Sequence, residues 1–176
     1  MRKIDTIVVH CTATLPGQSV DIEDVRRWHV DGNGWSDVGY HALITADGTL
    51  QFGRPISRMG AGVAGHNKTT LHVAYVGGLD DDGQPADTIT TKQANALHGY
   101  VAGVVTVLGA MAVKGHNDFT DAKACPSFRV HEKFPKLVEW AARPAGPWPV
   151  YEQHERQPAP VVAHKYCRRC NRRLRM

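Results

Sequence analysis

The sequence predicts one α/β domain, a central mixed sheet flanked by helices, followed by a short basic C-terminal tail. Three observations carry this. Short β-branched runs alternate with segments whose apolar residues recur every three or four positions. Asp47-Gly48, a hairpin signal, lies between two of the runs. From Arg143 the composition turns proline-rich and then arginine-rich.

Taken in order, residues 4–9 read as a buried strand that ends at His10. Pro16-Gly17 marks a turn. Residues 20–29 place Ile22, Val25 and Trp28 on one helical face, and Gly32 and Gly34 end that helix. Residues 40–45 and 49–52 flank the hairpin, with Ala46 leaving its loop length open. Residues 54–68, glycine-rich with one proline, are expected to form a long functional loop. Residues 71–76 form another strand, ended by Gly77-Gly78. Asp80-Asp-Asp-Gly83 reads as a solvated turn, because the ligand spacing of a calcium loop is missing. Thr90-Thr-Lys-Gln93 fits a capping box. Beyond it Ala94, Leu97, Val101, Val104, Val105 and Leu108 keep one stripe through the longest helix. Residues 112–114 are a short strand before His116. Residues 130–142 read as a single last helix, with Phe134, Leu137, Val138 and Ala141 inward and Pro135 in its first turn.

The chain has 176 residues, of which 42% are hydrophobic, enough for one packed domain and an appendage. No apolar run approaches the roughly 20 residues of a membrane helix. The N-terminal apolar stretch is too short for a signal peptide and is broken by Asp5, so residence in the cytoplasm is expected. The net charge of +4 divides unevenly. Residues 1–142 carry 13 Lys+Arg against 15 Asp+Glu, a balance of −2, whereas residues 143–176 carry 8 against 2, a balance of +6. The division suggests a domain over 1–142, a proline-rich linker over 143–163 and a basic tail over 164–176. A nucleic-acid or anionic envelope partner therefore belongs to the tail.

Four cysteines, Cys11, Cys125, Cys167 and Cys170, read as reduced thiols or metal thiolates, since no export signal accompanies them. His10 and His116 stand at predicted strand ends, and Cys125 lies in the loop beyond. Three such ligands with an open fourth position make a catalytic zinc site. From spacing alone, each histidine reads equally as a hydrogen-bonded core or surface ring, and Cys125 as a small buried hydrophobe. Cys11 should face the opposite side of its strand from His10 and belong to the core. The tail sequence His164-x-x-Cys167-x-x-Cys170 supplies three ligands of a zinc knuckle without an evident fourth; an unstructured basic tail fits as well.

Several blocks occur in order: Val8-Val-His-Cys-Thr-Ala-Thr14, Trp28-His29, Gly34-Trp-Ser-Asp-Val-Gly-Tyr-His41, Asp47-Gly-Thr49, Val76-Gly-Gly78, Gly115-His116 and Lys123-Ala-Cys-Pro-Ser-Phe128. Together they resemble the phage-lysozyme-type N-acetylmuramoyl-L-alanine amidases, relatives of the peptidoglycan-recognition proteins, over roughly residues 4–140. The resemblance implies an endolysin that cuts peptidoglycan between N-acetylmuramic acid and L-alanine and acts from the host cytoplasm after release to the wall. It implies Zn2+ held by His10, His116 and Cys125, with Tyr40 and Lys123 catalytic. Read from sequence without it, Tyr40 is a strand aromatic and Lys123 a solvated loop charge. His29 and His41 read as structural, with His41 also suited to backing a metal ligand. Asn67 and the glycine loop 60–65 are expected to line the substrate groove. Two positions depart from the family pattern: Gly62 stands where relatives carry a histidine, and His72 where a glycine is usual. His66 is the expected spatial replacement for the histidine missing at 62. Two other functions remain open at this point, a non-catalytic peptidoglycan-binding module and an amidase that also regulates a phage RNA polymerase. The complete ligand set, with Tyr40 and Lys123, favours catalysis.

Overall fold

The computed structural model describes residues 2–150. Its elements run β1 (Thr6–Cys11), α1 (Ile22–Arg27), β2 (Ala42–Ile44), β3 (Leu50–Phe52), β4 (Thr70–Tyr75), α2 (Thr91–Leu108), β5 (Ala112–Gly115), α3 (Val130–Lys133) and α4 (Pro135–Ala142). The five strands form one mixed sheet in the order β3-β2-β4-β1-β5. β1 lies parallel to both β4 and β5, β2 is parallel to β4, and only the β2–β3 hairpin is antiparallel. The predicted α/β class with a central mixed sheet is therefore the observed one.

Strand alternation divides the buried side chains between two layers. Ile7, Val9 and Cys11 of β1 join Leu71, Val73 and Tyr75 of β4 in the main core, against Leu97, Val101 and Val105 of α2 and Phe134 and Leu137 near α4. On the other face Leu43 and Ala74 meet Val20, Ile22, Val25 and Val38 in a smaller cluster beside α1. His10 and His72, out of phase with the main-core residues of their strands, belong to this second face.

Local chemistry explains the boundaries. Asp21 caps α1 and shares a capping box with Asp24, whose carboxylate accepts the Asp21 N–H at 2.9 Å. Thr90 and Gln93 cap α2 in the same reciprocal way, as the sequence motif requires. Three expectations need correction. β1 continues through Cys11, so His10 is its penultimate residue and not its terminus. α1 gives way at Trp28 to a single π turn, and the wider turn takes Trp28 out of the apolar stripe and leaves it 45% exposed. The last helix is two helices. Phe134 leaves the helical region at φ −127° and ψ 52°, because the residue before proline clashes with the Pro135 ring there. Pro135 then opens α4, where its missing N–H does no harm.

Beyond α4, the Trp140 indole N–H donates to the Gly146 carbonyl at 3.4 Å, and His98 Nδ1 lies 2.9 Å from the Pro149 carbonyl. The His164-x-x-Cys167-x-x-Cys170 motif lies outside the described residues. Among the described residues no helix is long and apolar enough to cross a membrane.

Candidate metal centre and active site

The sheet brings three distant residues to one place. His10 arrives on β1, His116 opens the short 3-10 turn His116–Asp118 directly after β5, and Cys125 sits in the following loop. Their candidate ligand atoms all lie within 4.8 Å of one another. Cys125 Sγ is 3.6 Å from His10 Nδ1. A tetrahedral zinc with Zn–S of about 2.3 Å and Zn–N of about 2.0–2.1 Å has an S···N edge of about 3.6 Å, so this donor pair fits the ion. Two imidazoles and one thiolate are also a donor set that zinc favours.

Hydrogen bonds to the loop hold this arrangement. The Asn117 N–H donates to the Cys125 carbonyl at 2.8 Å, and its side-chain amide donates to the carbonyls of Ala124 and Phe128 at 3.2 and 3.1 Å. The residue next to one ligand thus clamps the loop that carries another. Asp118 accepts the Gly115 N–H at 2.7 Å and fixes the exit from β5. The Tyr75 hydroxyl, buried in the main core, donates to the Pro126 carbonyl at 2.8 Å, and the Ser127 hydroxyl donates to the Gly78 carbonyl at 2.8 Å. Gly78, at φ 102°, is needed twice over: the backbone is left-handed there, and a Cβ would come within 2.4 Å of Cys11 Sγ. None of these ties follows from apolar periodicity; in the sequence Asn117 and Ser127 are marked only by nearness to His116 and Cys125, and Tyr75 by nothing.

Electrostatics favour neutral imidazoles. Burial, followed by the fields of His72, His116 and His29, holds His10 well below the ordinary histidine value. Burial and then the Lys123 charge lower His116. Hydrogen bonding with the Cys11 side chain, then burial, pushes the Cys125 thiol up, so a cation must take the proton's place to make the thiolate. The Cys11 N–H donates to Cys125 Sγ at 3.2 Å and would stabilise that thiolate. Cys11 itself is buried with the main core, as its strand phase predicts.

Tyr40, half-buried just before β2, packs its ring 5.1 Å from that of His10, the two planes tilted by 36°. Burial raises its phenol, which therefore remains a proton donor at neutral pH. Lys123 is exposed, two residues before Cys125, and close enough for its charge to act on His116 and Cys125. His29 accepts the Gly39 N–H at 3.0 Å and packs between Trp35 and Tyr40, a structural role. His41 Nδ1 accepts the His72 N–H at 2.9 Å. Asn67 faces its own loop, where its side-chain oxygen accepts the N–H groups of Gly62 and Val63 at 3.0 and 2.8 Å.

The expectation for His66 is corrected. Its exposed ring packs on Phe119 at 4.8 Å. The space beside Gly62 is filled by His72, whose Nδ1 lies 2.4 Å from where a Cβ at position 62 would stand. Burial, followed by His41, Arg2, His116 and Arg54, holds His72 down to about 3.

Comparison with known proteins agrees with this geometry. The family model for N-acetylmuramoyl-L-alanine amidase matches residues 1–128. The chain is 37% identical to the endolysin of Escherichia phage T7 over 124 residues, 70% of this chain and 81% of that one. It is 39% identical to the endolysin of Enterobacteria phage K11 over 120 residues, 68% and 78% of the two chains. Among solved structures, bumblebee PGRP-SA superposes with a TM-score of 0.67 at 25% identity, covering 79% of this chain and 84% of that one. The Ph2119 endolysin from Thermus scotoductus MAT2119 bacteriophage Ph2119 superposes with a TM-score of 0.61 at 26% identity, covering 72% and 79%. With a family match that spans most of the described fold and includes all three converging donors, the chain belongs to the N-acetylmuramoyl-L-alanine amidase family and is a peptidoglycan hydrolase.

Proposed function

We propose that this amidase is zinc-dependent, with His10, His116 and Cys125 as the metal ligands and Tyr40 and Lys123 as the catalytic side chains. The observation that carries the reading is the convergence of the three donors within 4.8 Å, in a pattern that leaves a tetrahedral site one ligand short. A zinc ion so held supplies Lewis acidity and lowers the pKa of water to about 7.

The remaining chemistry belongs to the chain. Cleaving the amide between N-acetylmuramic acid and L-alanine develops negative charge on the carbonyl oxygen, which needs fixed donors. The Tyr40 phenol, kept protonated by burial, donates a hydrogen bond there. The Lys123 ammonium adds positive charge from the loop that carries Cys125, where its field reaches His116 and Cys125. The neutral His10 and His116 rings keep lone pairs available as ligands. The biological setting consistent with the endolysin relatives is release from the host cytoplasm to the wall.

A muropeptide digest analysed by mass spectrometry tests this. The expected products are free stem peptides beginning with L-alanine and intact glycan strands, formed by metal-loaded enzyme and not after chelation. Products cut within the glycan or the peptide, or undiminished cleavage by chelated enzyme, would contradict it.

A further inference from the structure

We infer that His72 is a positioning residue that fixes the tautomer and aim of the metal ligand His10. The inference rests on the zinc-site reading above, but the geometry that supports it is independent of the ion.

One group at the start of the chain of bonds can act in one way only. The His66 carbonyl accepts, and it receives the Thr70 hydroxyl proton at 3.0 Å. Having spent its one proton, Thr70 Oγ1 must accept from its other partner, His72 Nε2, at 3.0 Å. A neutral His72 with its proton on Nε2 presents a lone pair at Nδ1. That lone pair faces His10 Nε2 at 3.0 Å, so His10 Nε2 carries the proton and donates. The lone pair of His10 is then on Nδ1, the atom 3.6 Å from Cys125 Sγ. One backbone carbonyl thus dictates, through three side chains, which nitrogen of His10 faces the metal position. An imidazole ligand held by such a bond is oriented and made more basic.

The fold secures the His72 ring from the other sides. The backbone N–H of His72 donates to His41 Nδ1 at 2.9 Å and anchors the strand at this residue, and the ring is fully buried. It fits only because the neighbouring loop has glycine at both positions that face it: a Cβ at Gly60 would lie 2.5 Å from His72 Cδ2, and one at Gly62 would lie 2.4 Å from Nδ1. Gly62 and His72 are therefore paired departures from the family pattern. A histidine projecting from position 62 and one projecting from position 72 would compete for a single space, and this chain places the ring on the rigid strand β4. Thr70, two residues before His72 on the same strand face, completes the relay.

The test has two arms, both on the full-length chain carrying Cys167→Ser and Cys170→Ser so that no tail thiol competes for metal. In the metal-free protein, long-range nitrogen–proton NMR correlations report histidine tautomers. His10 and His72 should both appear as the Nε2–H form; an Nδ1–H form of His10 overturns the inference, whatever the protein's zinc affinity. In the second arm, zinc affinity is measured by chelator competition. His72→Phe fills the ring space without an acceptor and should weaken zinc about 10–100-fold. His72→Asn restores an oxygen near the Nδ1 position and should recover most of that loss. Unchanged affinity in His72→Phe, or equal losses in both variants, refutes the positioning role. Absence of zinc binding in the unsubstituted ligand set would instead overturn the zinc reading, leaving the tautomer result to judge the relay.

Discussion

Replacing Tyr75 by Phe removes a tie between the core and the ligand loop, together with the contact of the same hydroxyl with the Thr88 side chain. The ring stays in the main core, 1% exposed, while the hydroxyl that donates to the Pro126 carbonyl at 2.8 Å is removed. Pro126 is buried, so its carbonyl loses a partner away from water. An unsatisfied buried group of this kind costs about 1–3 kcal/mol. At about 2–4 °C per kcal/mol for a domain of this size, thermal unfolding should fall by roughly 2–12 °C. Because Pro126 adjoins Cys125, a penalty falling on the ligand loop should also weaken zinc, by about fivefold for each kcal/mol that the loop carries. Calorimetry on metal-free protein and chelator competition on the same preparation separate the two effects. A melting temperature within about 1 °C of wild type would show that the contact contributes nothing. A full thermal loss with unchanged zinc affinity would show that the tie serves the core and not the site.

Tyr40→Phe and Lys123→Ala should keep zinc and fold while slowing muropeptide hydrolysis, by about 10²–10³-fold where an oxyanion donor is lost; wild-type turnover would make both residues structural. Stability should fall as the solution is acidified from about pH 6.5. His41 is held down to about 4, chiefly by burial with Arg2 and Arg54 opposing its charge, while the unfolded ring titrates near 6.5. The unfolded chain therefore binds the extra proton first, stability present above pH 6.5 is lost between there and about 4, and His41 alone contributes on the order of 3 kcal/mol. His41→Asn, which keeps an acceptor for the His72 N–H, should flatten urea-unfolding free energies across that window, and an unaltered slope would count against the assignment. Deleting residues 143–176, the segment with a balance of +6, should leave soluble muropeptide hydrolysis intact and reduce binding to intact walls most at low salt. Equal loss on both substrates would show that this segment supports the domain, a role to which the His98–Pro149 contact would then be relevant.

Much of the fold is legible in the sequence because local chemistry decides it. The Thr90–Gln93 capping box, the Asp47-Gly48 hairpin and the stripe from Ala94 to Val105 each draw on residues within a few positions of one another. The single helix expected over 130–142 breaks at a local rule, since Pro135 reaches back to expel Phe134 from helix. The three donors His10, His116 and Cys125 are legible by type, and the family pattern singles them out from ten histidines and four cysteines. What surrounds them is not. Asn117, Tyr75 and Ser127 act through hydrogen bonds that span up to 51 residues, which no periodicity encodes. The place of His72 is not legible for a similar reason: only the three-dimensional approach of the 60–62 loop to β4 shows that Gly62 and His72 share one space.

Zinc stoichiometry tests the central claim most directly. Native mass spectrometry of the full-length chain with Cys167→Ser and Cys170→Ser should find one zinc per molecule. Adding Cys125→Ser or His116→Ala should remove most of it while circular dichroism stays that of the folded protein. Zinc retained in full after both ligand substitutions, or an enzyme that hydrolyses muropeptides at full rate with no metal bound, would contradict the assignment of His10, His116 and Cys125 as the catalytic metal centre.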